Sequence, residues 1–194
     1  MASIEGGIAN RAKGKMKSTE VYGVLKQKLS PVLKPLGFKR GKSLLSWFRI
    51  HNGSYTVLWC QVSRDGWDDY AGSQFTVELQ RSSDSEAGSP SRRRMRIAKL
   101  FSESQRDEVW RIQGSVIASL RRPASDHPTL SVSPEVTKWY LAKFEKPSRR
   151  YDQGDDIWFR YANAEHVAVW ATLLARLMPR CVESIEEDSS ATDS

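Results

Sequence analysis

Residues 44–62, LLSWFRIHNGSYTVLWCQV, decide the fold of this chain. Asn52-Gly53 is the dipeptide best suited to a two-residue type I′ turn, whose two central positions both need positive φ. The turn sets the register of its flanks. With Asn52 and Gly53 as the loop, His51 faces Ser54. Phe48 then pairs with Val57 and Ile50 with Tyr55 on one side, and Trp47 with Leu58 and Leu45 with Cys60 on the other. Both faces of this ribbon are apolar, so the sheet built on it needs cover on two sides, from helices or from a partner chain.

The chain leads into the hairpin through a helix expected at 19–36. Ser18 can cap it, and Val21, Val24, Leu25, Leu29, Val32, Leu33 and Leu36 fall on one face of a 3.6-residue period. Pro31 removes a backbone donor there, which predicts a kink or a fresh start capped by Ser30. Gly37 ends the element, since glycine takes the left-handed conformation that helix ends often need. Ahead of the helix, residues 1–17 are small, polar and basic and read as a flexible arm.

Beyond the hairpin, the acidic and aromatic loop RDGWDDYAG leads into a third strand at Gln74–Gln80, where Phe75, Val77 and Leu79 alternate with polar residues. Residues 81–94, RSSDSEAGSPSRRR, read as an exposed connection. Ser102 and Gln105 form a capping-box pattern for a helix at 104–121 that carries Val109, Ile112, Val116 and Leu120. Ser133-Pro134 starts another at 134–145, with Val136, Trp139, Tyr140 and Phe144 as its apolar side. DDIWFRY, 155–161, reads as a fourth strand, and Asn163 caps a helix at 164–178 that Pro179 stops. Residues 181–194 are acidic and read as a disordered tail. The expected architecture is a single α+β domain over 18–180, an antiparallel sheet of about four strands with four main helices packed around it.

The net charge of +7 is laid down in alternating blocks. Residues 1–50 hold 11 Lys/Arg against 2 Asp/Glu, 51–90 hold 2 against 6, 91–150 hold 14 against 6, and 151–194 hold 3 against 9. Such blocks can steer an anionic partner or satisfy one another across a folded surface. No apolar run approaches eighteen residues and the N-terminus lacks the apolar block of an export signal, which points to the cytoplasm and away from a membrane. Cys60 and Cys181 match no zinc or redox spacing and fit free thiols in a reducing compartment.

No nucleophile arrangement, phosphate loop or cofactor motif is present. His51, His127 and His166 have no metal-ligand spacing. Asp65, Asp68 and Asp69 follow the second strand while Asp155 and Asp156 precede the fourth. If the fold joins them they could hold a metal for an enzyme; otherwise they are solubilising loop charge. The alternative function is a nucleic-acid-binding module using the basic arm at 1–17 with Arg92, Arg93, Arg94 and Arg96, and Lys39, Arg40 and Lys42 near Trp47 likewise offer cations and a ring of the kind such surfaces use. The preferred explanation of Lys39, Arg40 and Lys42 is a solvated shoulder behind a helix end, where cations also suit the dipole.

The stretches LSPVLKPLGFKRGKSLLSWFR, YTVLWCQVSRDGWDDYAGSQFTVELQRS and DDIWFRYANAEHVAVWATLLARL resemble the bacterial family called domain of unknown function 4304. The likeness lies in a helix running into Pro-Leu-Gly-Phe, an aromatic strand, a strand ending in Gln-x-Ser, and a tryptophan strand feeding an Asn- or Asp-capped helix. It spans roughly residues 18–180 and implies a fold without implying a mechanism. The function expected is a non-catalytic module that binds a protein partner or a second copy of itself, with an immunity or regulatory role by analogy. Trp47, Arg49, Trp67 and Tyr70 are the expected contact residues, because interface centres favour such side chains.

Overall fold

The computed structural model describes residues 15–43 and 45–187. Most of the basic arm, Leu44 and residues 188–194 of the acidic tail lie outside them. Among the described residues, four helices and six strands make a mixed α and β fold on one antiparallel sheet. In chain order these are α1 (Ser18–Leu33), β1 (Lys39–Arg40), β2 (Ser46–His51), β3 (Ser54–Val62), β4 (Ser73–Ser82) and β5 (Ser91–Arg96). They are followed by α2 (Glu103–Ala118), α3 (Pro134–Ala142), β6 (Phe159–Tyr161) and α4 (Ala164–Glu187). The sheet order is β1-β2-β3-β4-β5, and β6 pairs with the start of β4.

The hairpin forms as its turn dictates. Asn52 and Gly53 have φ of 48° and 69°, and His51 pairs with Ser54, Phe48 with Val57 and Trp47 with Leu58. The face bearing Leu45, Trp47, Leu58 and Cys60 joins Phe75, Val77 and Leu79 of β4 in one core with α1 and α4. From α1 come Val21, Leu25, Leu29 and Leu33, each four residues apart and fully buried. At roughly 1.5–3 kcal/mol per buried aliphatic side chain, this seam is a major source of stability.

Helices do not cover the opposite face in the way the apolar pattern suggests. There β4 presents Thr76, Glu78, Gln80 and Ser82, all buried. Gln80 explains the cover: its amide nitrogen donates to Glu86 O at 2.7 Å and its carbonyl accepts from Gly88 N at 3.1 Å. The β4–β5 loop is thereby folded onto the sheet as a roof.

Several boundaries need correction. Pro31 neither ends α1 nor opens a new helix, because the helix stops two residues later and only one carbonyl loses its partner. Ser18 is the first helical residue, and Glu20 instead reaches back to accept from Lys17 N at 2.6 Å. The stretch 81–94 is no exposed connection: β4 runs on to Ser82 and β5 begins at Ser91, and β5 with the two-residue β1 brings the strands among the described residues to six where about four were expected. Their side chains hid the pattern, since Arg94 pairs with Glu78 and Arg81 is buried beside Thr56.

The largest correction concerns the end of the chain. Pro179 does not stop α4, which continues to Glu187 and buries Cys181, Val182, Ile185 and Glu186. A proline inside a helix costs about 3 kcal/mol, whereas burying the three apolar side chains returns more at roughly 1.5–3 kcal/mol for each large one. The capping predictions hold elsewhere. Gln105 N and Ser102 N each bond the other residue's side chain, Ser133 Oγ accepts from Val136 N, and Asn163 Oδ1 accepts from His166 N at 2.9 Å. On α3, Tyr140 and Phe144 beyond its end are buried but Trp139 is exposed, so the apolar side is narrower than its composition suggests.

Candidate functional site

The roofed face of the sheet opens at the tip of the hairpin. Ile50 is 65% exposed there, with Tyr55 directly across the ladder and Phe48 two residues before it on the same face. Phe48 and Tyr55 are half-buried and their rings meet at 5.9 Å in a tilted contact. Lys39 is the cross-strand neighbour of Phe48 on the other side. The result is a small apolar surface on a rigid ribbon, with a cation at its border.

On the reverse side of the same ribbon lies a buried ion network. Arg49, Thr56, Arg81 and Arg93 are successive neighbours across β2 to β5. Glu186 descends on this row from α4. Its carboxylate accepts from Arg49 Nε at 2.9 Å, from a second Arg49 nitrogen and from Thr56 Oγ1, and lies 4.0 Å from Arg81. His51 Nδ1 is 3.7 Å away. Burial works against the charge of Glu186, but the bonds from Arg49 and Thr56 and the charges of Arg49 and His51 outweigh it and hold the carboxyl below its usual range. Arg81 donates to Thr56 Oγ1 at 2.7 Å and to His51 O at 3.0 Å, tying the hairpin tip to β4.

This geometry reassigns two expected contact residues. Trp47 is 2% exposed and belongs to the core, with Arg40 stacked over its ring at 4.9 Å. Arg49 serves Glu186 and also donates to Leu36 O at 2.7 Å. Trp67 and Tyr70 remain half-buried on the loop after β3. Trp67 lies against Tyr161 and donates from its ring nitrogen to Asp69, while Tyr70 sits between Arg121 and the edge of His127. None of the four faces solvent as Ile50 does. The sequence signal for Ile50 was present in the hairpin register, where it shares a face with Phe48 and Tyr55, but nothing in the pattern told which of the two apolar faces is uncovered.

The cationic candidates divide between the two edges of the sheet, about 19 Å apart at four strand spacings. Lys39, Arg40 and Lys42 are exposed at one edge, and Arg40 also donates to Ser46 O at 2.8 Å. At the other, Arg94 pairs with Glu78 at 2.6 Å and stacks on Trp59, Arg96 pairs with Asp156 and stacks on Trp158, and Arg93 donates to Ser184 O. Arg92, exposed, falls at the register shift between β4 and β5. Three of these four arginines thus have structural work.

Four of the five candidate aspartates, Asp68, Asp69, Asp155 and Asp156, are likewise engaged, while Asp65 is exposed in the loop after β3. Asp68 Oδ1 closes its own loop by accepting from Tyr70 N and Ala71 N, and it accepts from the hydroxyl of Tyr140 at 3.2 Å. Burial and this bond push the Tyr140 phenol well above its ordinary value. Asp155 is gripped by Arg149, which holds its carboxyl below the usual range. Asp156 pairs with Arg96. Among the described residues no group of three or more His, Cys, Asp or Glu side chains is placed to hold a metal ion. Both thiols are buried, and burial pushes Cys60 well up and Cys181 up to about 12, which removes the thiolate a nucleophile needs.

No family model matches the chain, and neither a curated protein nor a solved structure matches it. No helix among the described residues is long and apolar enough to cross a membrane.

Proposed function

We propose that the chain is a non-catalytic binding module whose contact surface is the open tip of the β2–β3 hairpin, and that its partner is a protein. One observation carries this reading: Ile50 is 65% exposed beside Phe48 and Tyr55, on a ribbon that the Glu186 network holds rigid from behind. A fixed apolar patch with polar surroundings is what a protein partner can bury without an ordering cost on this side. The buried thiols and the structural use of the aspartates support a role in contact over one in bond-making. The partner suited to this surface offers an apolar recess with an acid near Lys39.

The test compares complexes captured from the native cells by the tagged chain and by two variants. Ile50→Asp should lose a discrete protein that Val169→Asp, altered at an exposed residue of α4, retains. Nuclease treatment should leave that protein bound. Equal recovery with all three baits contradicts the proposal.

A second reading has its own observation. Lys39 borders Phe48 and Lys42, three residues on, is exposed, so cations flank half-buried rings on one surface. That combination suits single-stranded nucleic acid, which would bind with steep salt dependence and be lost from Lys39→Glu. A flat salt response removes it.

A further inference from the structure

Helix α3 has two unlike sides. Tyr140, with Phe144 beyond the helix end, turns inward onto Ala71, and the Tyr140 hydroxyl fixes the helix by donating to Asp68 at 3.2 Å. On the opposite side Glu135, Lys138, Trp139 and Ala142 are all exposed. Their spacing places them on one outward stripe of the helix. The outward stripe of a surface helix is ordinarily polar, yet this one centres on Trp139, which is 58% exposed. Val132, just ahead of the helix, is 67% exposed. Tryptophan is among the side chains most enriched at the energetic centres of interfaces. Lys143 Nζ stands 3.9 Å from the centroid of the Trp139 ring. That contact orders the indole before a partner arrives and so lowers the entropy lost on association.

The charges along the stripe are ordered too. Glu135 stands at its start, Lys138 at its middle and Lys143 at its end, where exposed Lys146 offsets Glu145. A second copy laid antiparallel, with 138 and 139 at the centre, sets Glu135 of each chain against the Lys143 end of the other. It also sets Lys138 of each chain against the other's indole, and the two helix dipoles then oppose each other favourably. An antiparallel pairing is what a two-fold axis through the stripe produces, and such an axis requires a self-complementary patch. A partner surface of one sign would meet like charge at one end. The helix has nine residues, a length of about 14 Å, which puts the contact among small, weak interfaces.

We infer that α3 is the contact surface of a weak two-fold dimer, with Trp139 at its centre and Glu135 of each copy paired with Lys143 of the other. This surface is separate from the hairpin tip, and the inference does not depend on what the tip binds.

Sedimentation equilibrium of the full chain tests it. The wild type should dimerise reversibly, with a dissociation constant between about 1 μM and 1 mM. Trp139→Asp should weaken the dimer at least about tenfold, and Ile50→Asp should leave it unchanged. Glu135→Lys and Lys143→Glu each turn two attractive pairs into repulsive ones, because the axis repeats every contact. Each should therefore weaken self-association about tenfold or more. Mixed in equal amounts, the two variants should form a heterodimer of wild-type strength, since one chain then carries both lysines and the other both glutamates. Circular dichroism checks that each variant is folded, and the mixture carries the test if Trp139→Asp is not. The inference is overturned if the wild type is monomeric at about 1 mM, if folded Trp139→Asp dimerises like the wild type, or if the two charge variants associate no better together than apart.

Discussion

Replacing Glu186 by Ala is the most informative single change in this chain. The side chain is 4% exposed and holds Arg49 and Thr56 by hydrogen bonds, with Arg81 at 4.0 Å. Its removal strands two arginines of different standing. Arg49, with 18% of its side chain exposed, can turn toward water, but Arg81, at 5%, cannot. Breaking a buried pair by deleting one partner costs about 3–5 kcal/mol, and the partial escape of Arg49 puts the expected loss near the lower figure, about 3 kcal/mol. For a chain of this size that is roughly 6–12 °C in melting temperature.

Urea denaturation of the wild type and Glu186→Ala, followed across pH, measures it. The folded carboxyl lies below its ordinary value, so its contribution is present above the unfolded value of about 4.3 and is lost as pH falls through the lower folded value. The stability gap between the two proteins should therefore be full at neutral pH and close in acid. A loss under about 0.5 kcal/mol, the range of an ordinary surface change, would refute both the network and the extension of α4 past Pro179. So would a gap that widens in acid.

Other changes test neighbouring parts of the account. Trp47→Ala should cost about 3–5 kcal/mol as a core truncation, whereas a contact residue would alter binding and leave the denaturation midpoint in place. Pro179→Ala should raise stability by about 1–3 kcal/mol, because the helix already runs through that position and regains a hydrogen bond. A fall in midpoint would show that the proline is needed. Cys60 and Cys181 should resist a thiol reagent in the native protein and react together on unfolding, at neutral pH as well as mildly alkaline pH. Fast labelling of either thiol in the native state would contradict their burial.

How far the fold could be read in advance depended on whether the signal was local. The Asn52-Gly53 turn fixes its register through two backbone angles, and the caps at Ser102, Ser133 and Asn163 need only their own first turn, so each was legible. Arg81 and Glu186 were not. An arginine inside a strand reads as exposed until its partner is known, and that partner lies 105 residues along the chain, on a turn of helix that Pro179 argues against in the sequence. The same limit hid the strand at Ser91–Arg96, whose charges are answered by Glu78 and Asp156. At the candidate surface, composition marked Trp47 as readily as Ile50. Only the packing of α1 and α4 on one face of the hairpin decides which of them meets solvent.

Site-specific photo-crosslinking in living cells tests the proposed contact surface most directly. A photoreactive phenylalanine analogue at position 50 should give one discrete, nuclease-resistant protein adduct, and the same analogue at position 169 on α4 should give none. A position-50 protein that crosslinks to nothing, or to the same products as position 169, would contradict the account.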